Sequence, residues 1–145
     1  MIAPEDYFYT EDHEWLRMVS EDVALVGITD YAQDQLGEVV YVELPQVGTS
    51  VEAGEAFGSI ESVKASSELY APVTGKVVEV NTGIEETPEQ VNQSPYEEGW
   101  MIKIRVEDPT EVHGLMDAET YRYHVKRLDK DEEPAEEEEE ESEEE

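Results

Sequence analysis

Lys64 has the clearest potential for covalent chemistry in this chain of 145 residues. It lies in a stretch of small and polar residues, 61–68, between two runs of strand-like composition, 56–60 and 69–75. Two such runs joined by small polar residues predict a β-hairpin, with Lys64 at or near its tip. Because the lysine amine stands on a flexible four-carbon stem, that position suits covalent attachment of a swinging cofactor.

Strands and short helices are expected to hold the hairpin in place. Outside the hairpin, four runs predict strands, namely 15–19, 23–28, 39–44 and 101–106. Thr29-Asp30 is expected to cap a short helix that runs through Leu36, with Gly37 at its C′ position. Later segments predict one helical turn and two helices, at 88–92, 109–116 and 117–128.

A weak internal repeat flanks the hairpin. Residues 37–42 resemble residues 75–80, since both segments begin with glycine and continue as a valine-rich strand. A repeated strand unit suggests two small sheets related by a pseudo-twofold axis, although so short a match can also arise by chance. Lipoyl and biotinyl domains have this architecture. The strand and helix pattern, together with this resemblance to lipoyl and biotinyl domains, implies a fold class that is mainly β with short helices: a flattened β-barrel, or barrel-sandwich hybrid, with extra C-terminal helices.

The hairpin resembles the lipoyl-attachment hairpin of glycine cleavage system H proteins. Several separate motifs match this family in the same order, over roughly residues 7–126: Tyr9-Thr10, His13-Glu14-Trp15, Val26-Gly27-Ile28-Thr29-Asp30-Tyr31-Ala32-Gln33, Gly99-Trp100 and Ile102-Lys103-Ile104. The resemblance implies lipoate attached covalently to Lys64. A biotinyl carrier would usually have methionines beside the lysine, so Val63 and Ala65 argue against biotin.

The resemblance also implies roles for residues near the attachment site. Glu61 and Gly75 match positions that help the lipoylating enzyme to recognise the hairpin. A structural role is at least as strong for Gly75, because a turn or a close backbone approach also requires glycine. In the family, a cleft shelters the loaded arm, and carboxylates suit its protonated amine. Three acidic residues match that cleft: Glu14, Glu68 and Asp12. Asp12 stands where serine is common, and solvated surface is the alternative for each of them.

The cycle implied by the resemblance makes the chain a carrier without a catalytic residue of its own. A pyridoxal-phosphate glycine decarboxylase loads the aminomethyl group of glycine, and an aminomethyltransferase passes its carbon to tetrahydrofolate. Dihydrolipoyl dehydrogenase, with FAD and NAD, then reoxidises the arm. Transient contacts predict a monomer. Two alternatives stay open: a lipoyl donor or relay for other enzymes, and an adaptor with unmodified Lys64.

The net charge of −30 is extreme. Residues 129–145 carry −12 of it and predict a disordered acidic tail after a carrier domain at 1–128. The domain itself still carries −18, which argues against nucleic acids and anionic membranes as partners. Self-repulsion of that size is relieved by salt, so we expect a host with a salt-rich cytoplasm.

Composition excludes other kinds of site. The chain has no cysteine, which rules out disulfides and thiolate metal ligands. No metal site is expected, since the three histidines, His13, His113 and His124, do not have metal-ligand spacing. We expect aromatic packing from Trp15, Tyr41 and Trp100. No apolar run approaches the length of a membrane span, and residues 1–6 are acidic, so the expected location is cytoplasmic.

Overall fold

The computed structural model describes residues 2–131. Within that range it contains nine strands: β1 (Phe8–Tyr9), β2 (Glu14–Met18), β3 (Val23–Ile28), β4 (Val39–Glu43), β5 (Ser50–Val51), β6 (Ala56–Ser62), β7 (Ser66–Tyr70), β8 (Gly75–Val80) and β9 (Ile102–Val106). The same range contains five helices: α1 (Asp30–Leu36), α2 (Thr82–Glu86), α3 (Gln90–Gln93), α4 (Thr110–His113) and α5 (Ala118–Asp131).

The strands form two antiparallel sheets. One sheet has six strands in the order β1-β2-β3-β9-β8-β5, and the other has three in the order β4-β6-β7. The repeated segments thus contribute one strand to each sheet, β4 to the smaller and β8 to the larger. This arrangement is the mainly β, lipoyl-type fold that the sequence predicts.

One apolar core joins the two sheets. Leu16, Val26 and Ile104 of the larger sheet belong to the same buried cluster as Ile60 and Leu69 of the smaller sheet. Burial of such aliphatic side chains is worth about 1.5–3 kcal/mol each relative to exposure. The smaller sheet therefore cannot move away from the larger one without exposing this cluster, and the hairpin β6–β7 has a fixed base.

A second, aromatic cluster fastens α5 to the outer strands of the larger sheet. The rings of Tyr9 and Tyr121 stack with centroids 4.6 Å apart, and both side chains are fully buried. Trp15 and Val125 belong to the same cluster. This contact places α5 behind the segment that leads into β2, where the predicted cleft residues lie.

Several predicted elements differ from the observed ones. The helix predicted at 109–116 is reduced to α4, because the backbone of Met116 pairs with that of Tyr9 instead. The last helix was predicted to end at residue 128, but α5 continues through Asp131 and so includes the first residues of the predicted tail. The rest of that tail, 132–145, lies outside the described residues. No helix between residues 2 and 131 has the length and apolar character needed to cross a membrane.

Candidate functional site

The tip of the hairpin is a three-residue turn with Lys64 at its centre. Strand β6 ends at Ser62 and β7 begins at Ser66, so the prediction for this hairpin is confirmed. The Ser62 hydroxyl accepts hydrogen bonds from the backbone N–H groups of Lys64 at 3.3 Å and Ala65 at 3.0 Å. A serine that binds backbone two and three residues ahead fixes a tight turn. The side chain of Lys64 is exposed.

The turn is anchored beside the end of α1. The backbone N–H of Val63 donates to the carbonyl of Glu38 at 3.0 Å. The Lys64 stem lies against Gly37: a Cβ placed on Gly37 would be 3.3 Å from Lys64 Cε and 3.8 Å from Cδ. The lysine side chain therefore passes over the C-terminal end of α1.

Helix α1 has the ends that the sequence predicts. Thr29 caps it, since its hydroxyl accepts the N–H of Ala32 at 3.2 Å. Gly37 ends it with φ at +83°, a value that favours glycine, and its N–H donates to the carbonyl of Gln33 at 3.0 Å. Both termini of the helix are thereby satisfied, and one of its faces is held towards β7.

A cleft of about 200 Å³ lies between α1 and β7. Its apolar lining includes Ile28, Ala32, Leu36, Ile60 and Leu69. The three acidic residues predicted for a cleft also line it: Asp12, Glu14 and Glu68. Glu14 is buried, whereas Asp12 and Glu68 are exposed at the rim. An apolar wall with carboxylates at one end suits a flexible apolar chain that carries a positively charged amine.

Glu14 is buried with two hydrogen-bond donors. One carboxylate oxygen accepts the hydroxyl of Thr10 at 2.8 Å, and the other accepts the backbone N–H of Tyr70 at 3.0 Å. Burial is the main cause that raises the pKa of Glu14 to about 7, and the negative charge of Asp12 adds to it. The two hydrogen bonds act in the opposite direction. A carboxylate oxygen has two lone pairs, so each oxygen can still accept one more donor.

A polar network stands behind the cleft. The hydroxyl of Tyr121 lies 2.8 Å from His13 Nδ1 and 2.7 Å from the hydroxyl of Thr29. His13 has a φ of +72°, which is uncommon for a residue with a side chain. Burial, followed by the neighbouring His124, lowers the pKa of His13 to about 4. The network links α5 to the loop that presents Glu14.

A second cavity, which the sequence did not predict, lies on the other side of Glu14. Its volume is about 290 Å³. Glu14 and Asp12 line both cavities, while Thr10, Tyr70 and Met116 line this one alone. No local signal in the sequence indicates it, because its walls come from segments far apart in the chain.

The two residues predicted for lipoylation recognition lie in different sheets. Glu61 is exposed on β6, opposite Tyr41 on β4. Gly75 is buried in the larger sheet, and a Cβ there would come within 2.1 Å of the Arg105 carbonyl oxygen. The close backbone approach that would by itself require glycine at position 75 is thus present. Tyr41, expected to pack, is instead half exposed, because a bulge in β4 turns it outward.

Comparison with known proteins gives one family. Residues 7–128 match the family model described as glycine cleavage H-protein. The glycine cleavage system H protein of Anaeromyxobacter sp. is 55% identical over 126 residues, which cover 87% of this chain and 98% of that protein. The protein of the same description from Thermus thermophilus is 56% identical over 122 residues, covering 84% and 94%.

A solved structure agrees in fold. The crystal structure of a glycine cleavage system H protein from Mycobacterium marinum matches with a TM-score of 0.76 and 39% identity. The match covers 82% of this chain and 95% of that chain.

Proposed function

Because the chain belongs to the glycine cleavage H-protein family, we propose that Lys64 is the residue that carries its lipoyl group. The chain is the lipoyl carrier of a glycine cleavage system, a component of a multienzyme system. The observation that supports Lys64 is its position: an exposed side chain at a hairpin tip, with its stem against Gly37 at the end of α1, the helix that also lines an acidic cleft. The same position fits a lipoyl group, whose chain is flexible and largely apolar.

The cleft residues hold and orient the loaded end of the arm. When bound, the lipoyl group supplies a disulfide that accepts the aminomethyl group of glycine. Glu14 would accept a charge-assisted hydrogen bond from the protonated amine, while the hydroxyl of Thr10 and the backbone N–H of Tyr70 keep its carboxylate in position. Glu68 and Asp12, at the rim, add negative charge that attracts the amine.

The apolar wall of the cleft limits access of water. Ile60 and Leu69 are almost fully buried, and they line the same space as Glu14. An aminomethyl group bound through sulfur is lost to water as formaldehyde and ammonia, so exclusion of water preserves it between partners. This protection is the chain's own contribution to the chemistry, and we propose that its partners supply all catalytic residues.

The proposed partners act in succession on one tethered arm. They are the lipoylating enzyme, glycine decarboxylase with pyridoxal phosphate, aminomethyltransferase with tetrahydrofolate, and dihydrolipoyl dehydrogenase with FAD and NAD. Tethering raises the effective concentration of the arm at each site. Glu61, exposed on the strand that leads to Lys64, is available for recognition by the lipoylating enzyme. Gly75 would act on recognition only through the larger sheet in which it is buried.

The domain boundary is also a proposal. The match to the family ends at residue 128, within α5, and Val125 of that helix is buried. We therefore assign residues 1–128 to the carrier domain and the acidic segment after it to a separate tail. We propose that the protein acts in the cytoplasm.

A glycine exchange assay tests the assignment of Lys64. Purified glycine decarboxylase incorporates labelled bicarbonate into glycine only when a lipoylated carrier accepts the aminomethyl group. Lys64→Arg, exposed to the same lipoylating enzyme, is expected to abolish the exchange. Lys76→Arg, an exposed lysine of β8, is the matched control and should retain it. Exchange supported by Lys64→Arg would refute the assignment.

A further inference from the structure

The space beside Gly37 is filled by the side chain of Lys64. The three atoms nearest to a Cβ built on Gly37 are Lys64 Cε at 3.3 Å, Cδ at 3.8 Å and Cγ at 4.0 Å. All are methylene carbons of the stem, and none belongs to backbone. Glycine at this point therefore leaves room that an alanine would take from the lysine.

Gly37 is held in place independently of the lysine. The Asn92 side chain donates to the Gly37 carbonyl at 2.8 Å and accepts the N–H of Val39 at 2.8 Å. The next residue, Glu38, accepts the N–H of Val63 from the hairpin turn. Hydrogen bonds from two separate segments, α3 and the turn, thus fix the end of α1 relative to the tip of the hairpin.

The helix that ends at Gly37 also forms one wall of the cleft. Leu36, Gln35 and Ala32 precede Gly37 on α1, and all three line the cavity that contains Glu14. An arm that extends from Lys64 over Gly37 would need only to turn back along α1 to reach that wall. No side chain at position 37 stands between the lysine stem and that wall.

We propose that Gly37 is a positioning residue for the arm. Because position 37 has no side chain, the Lys64 stem can cross the end of α1 on its way to the cleft, and the hydrogen bond from Asn92 holds the Gly37 backbone in the position that allows this crossing. The proposal rests on the proposed function, since it assigns a path to the group attached at Lys64. The contact itself is a property of the unmodified chain and can be tested without lipoate.

The first test is the contact. In isotope-labelled, unmodified protein, nuclear Overhauser effects are expected between the Gly37 α-protons and the γ, δ and ε methylene protons of Lys64. Gly37→Ala should increase the mobility of the Lys64 stem, seen as lower side-chain order parameters. Gly48→Ala is the control, since Gly48 also has a positive φ, +98°, but no atom lies within 4 Å of its added Cβ. Absence of the contacts, or an unchanged Lys64 in Gly37→Ala, would overturn the proposal.

The second test is protection of the loaded arm. Water attacks the methylene carbon, the carbon–sulfur and carbon–nitrogen bonds break, and a thiol, formaldehyde and an ammonium ion remain. We expect several-fold faster formaldehyde release from loaded Gly37→Ala than from the wild type, with Gly48→Ala unchanged. Val51→Ala, which shortens a buried side chain on β5 at the far edge of the larger sheet from β1, controls for lost stability and should release formaldehyde at the wild-type rate below its melting temperature.

The two tests separate this inference from the proposed function. If the wild type cannot be lipoylated at Lys64 or loaded, the proposed function fails, and the contacts in the unmodified chain still decide whether Gly37 directs the stem. If the wild type is loaded normally but Gly37→Ala protects the aminomethyl group equally well, Gly37 does not position the arm, while the carrier function stands.

Discussion

The carboxyl of Glu14 combines deep burial with the capacity to bind a cation. Burial raises its pKa to about 7, so at neutral pH the empty cleft holds a mixture of protonated and charged carboxyl. An ammonium group brought beside it favours the charged form. If the loaded arm places its ammonium group beside Glu14, as we propose, its entry releases a proton, and the extent of that release depends on pH near neutrality.

Titration of Glu14 is the first prediction. The side-chain carboxyl resonance in the unloaded protein is expected to titrate with a midpoint of about 7, and the midpoint should fall when the arm carries an aminomethyl group. Carbon-13 NMR of glutamate-labelled protein measures both values. A midpoint near 4.5 in the unloaded protein, the ordinary value for the group, would contradict the coupling.

The same titration predicts a trend in stability. Between pH 4.5 and 7 the folded chain keeps a proton at Glu14 that the unfolded chain releases, so this group lowers the free energy of unfolding as pH rises. His13 acts oppositely: the unfolded chain binds its proton first as pH falls from 6.5 to 4, which lowers stability on the acid side. In urea unfolding, the free energy of unfolding of Glu14→Gln minus that of the wild type should increase from pH 5 to pH 7, by at most about 3 kcal/mol. A difference that does not change with pH would refute this.

At the scale of elements, the hairpin turn and the end of α1 together hold Lys64 in place. The Lys64 stem lies against Gly37 at the end of α1, Asn92 of α3 holds the Gly37 carbonyl, and α1 continues as one wall of the cleft. A bulge between Val39 and Tyr41 also leaves two successive residues of β4, Val40 and Tyr41, exposed near the hairpin. Position of the arm thus depends on contacts between elements more than on the turn alone.

Gly75→Ala is the prediction for the larger sheet. The added Cβ would meet the Arg105 carbonyl oxygen at 2.1 Å, so β8 and β9 must separate locally. We expect a loss of about 2 kcal/mol or more in the free energy of unfolding, measured with urea. Gly114→Ala is the matched control, because its nearest contact would be an ordinary 3.5 Å and its effect should stay within about 0.5 kcal/mol.

The same variant decides between the two roles suggested for Gly75. If the role is structural, folded Gly75→Ala is lipoylated at Lys64 at the wild-type rate under conditions where it remains native. Slow lipoylation of a fully folded variant would show that the lipoylating enzyme recognises this position.

Local signals in the sequence predicted some elements well and others poorly. Thr29 and Gly37 marked both ends of α1 because capping depends on residues within one turn. Helix α2 was missed although Asn81 caps it by accepting the N–H of Gly83, because five residues with one buried apolar side chain, Ile84, show no helical period. The exposure of Tyr41 was also missed, because strict alternation along a strand fails at a bulge.

At the scale of the whole molecule, charge dominates. Residues 1–128 carry −18, and the three ion pairs among the described side chains of residues 2–128 are all partly exposed, so they contribute little to stability. Repulsion among the remaining carboxylates opposes the compact state until counterions screen it. Added salt should therefore raise the stability of the entire fold and not that of one site alone.

Melting temperature against KCl concentration tests this expectation. We predict a rise from low salt into the molar range, with the steepest part at low concentration, where the screening length changes most. A variant truncated after Asp131 should show the same trend, because residues 1–131 are acidic by themselves. A flat response would contradict the salt-rich host inferred from the sequence.

The site was predictable only in its locally encoded parts. Lys64, Glu14 and Glu68 lie in short motifs that resemble the family, so the sequence alone proposed them, and the structure brings Glu14 and Glu68 to one cleft. The second cavity and the clamp at Gly37 were not predicted, since they join residues such as Glu14 and Tyr70, or Gly37 and Asn92, that are more than fifty positions apart. Contacts of that range follow from the fold and have no signature in a single sequence.

Intact mass and peptide mapping of the protein purified from its own host test the central claim most directly. The account predicts a lipoyl adduct confined to the peptide that contains Lys64, with the other four lysines unmodified. A bare Lys64, in cells whose lipoylating enzyme modifies its other substrates, would contradict the account and favour an adaptor with the same fold.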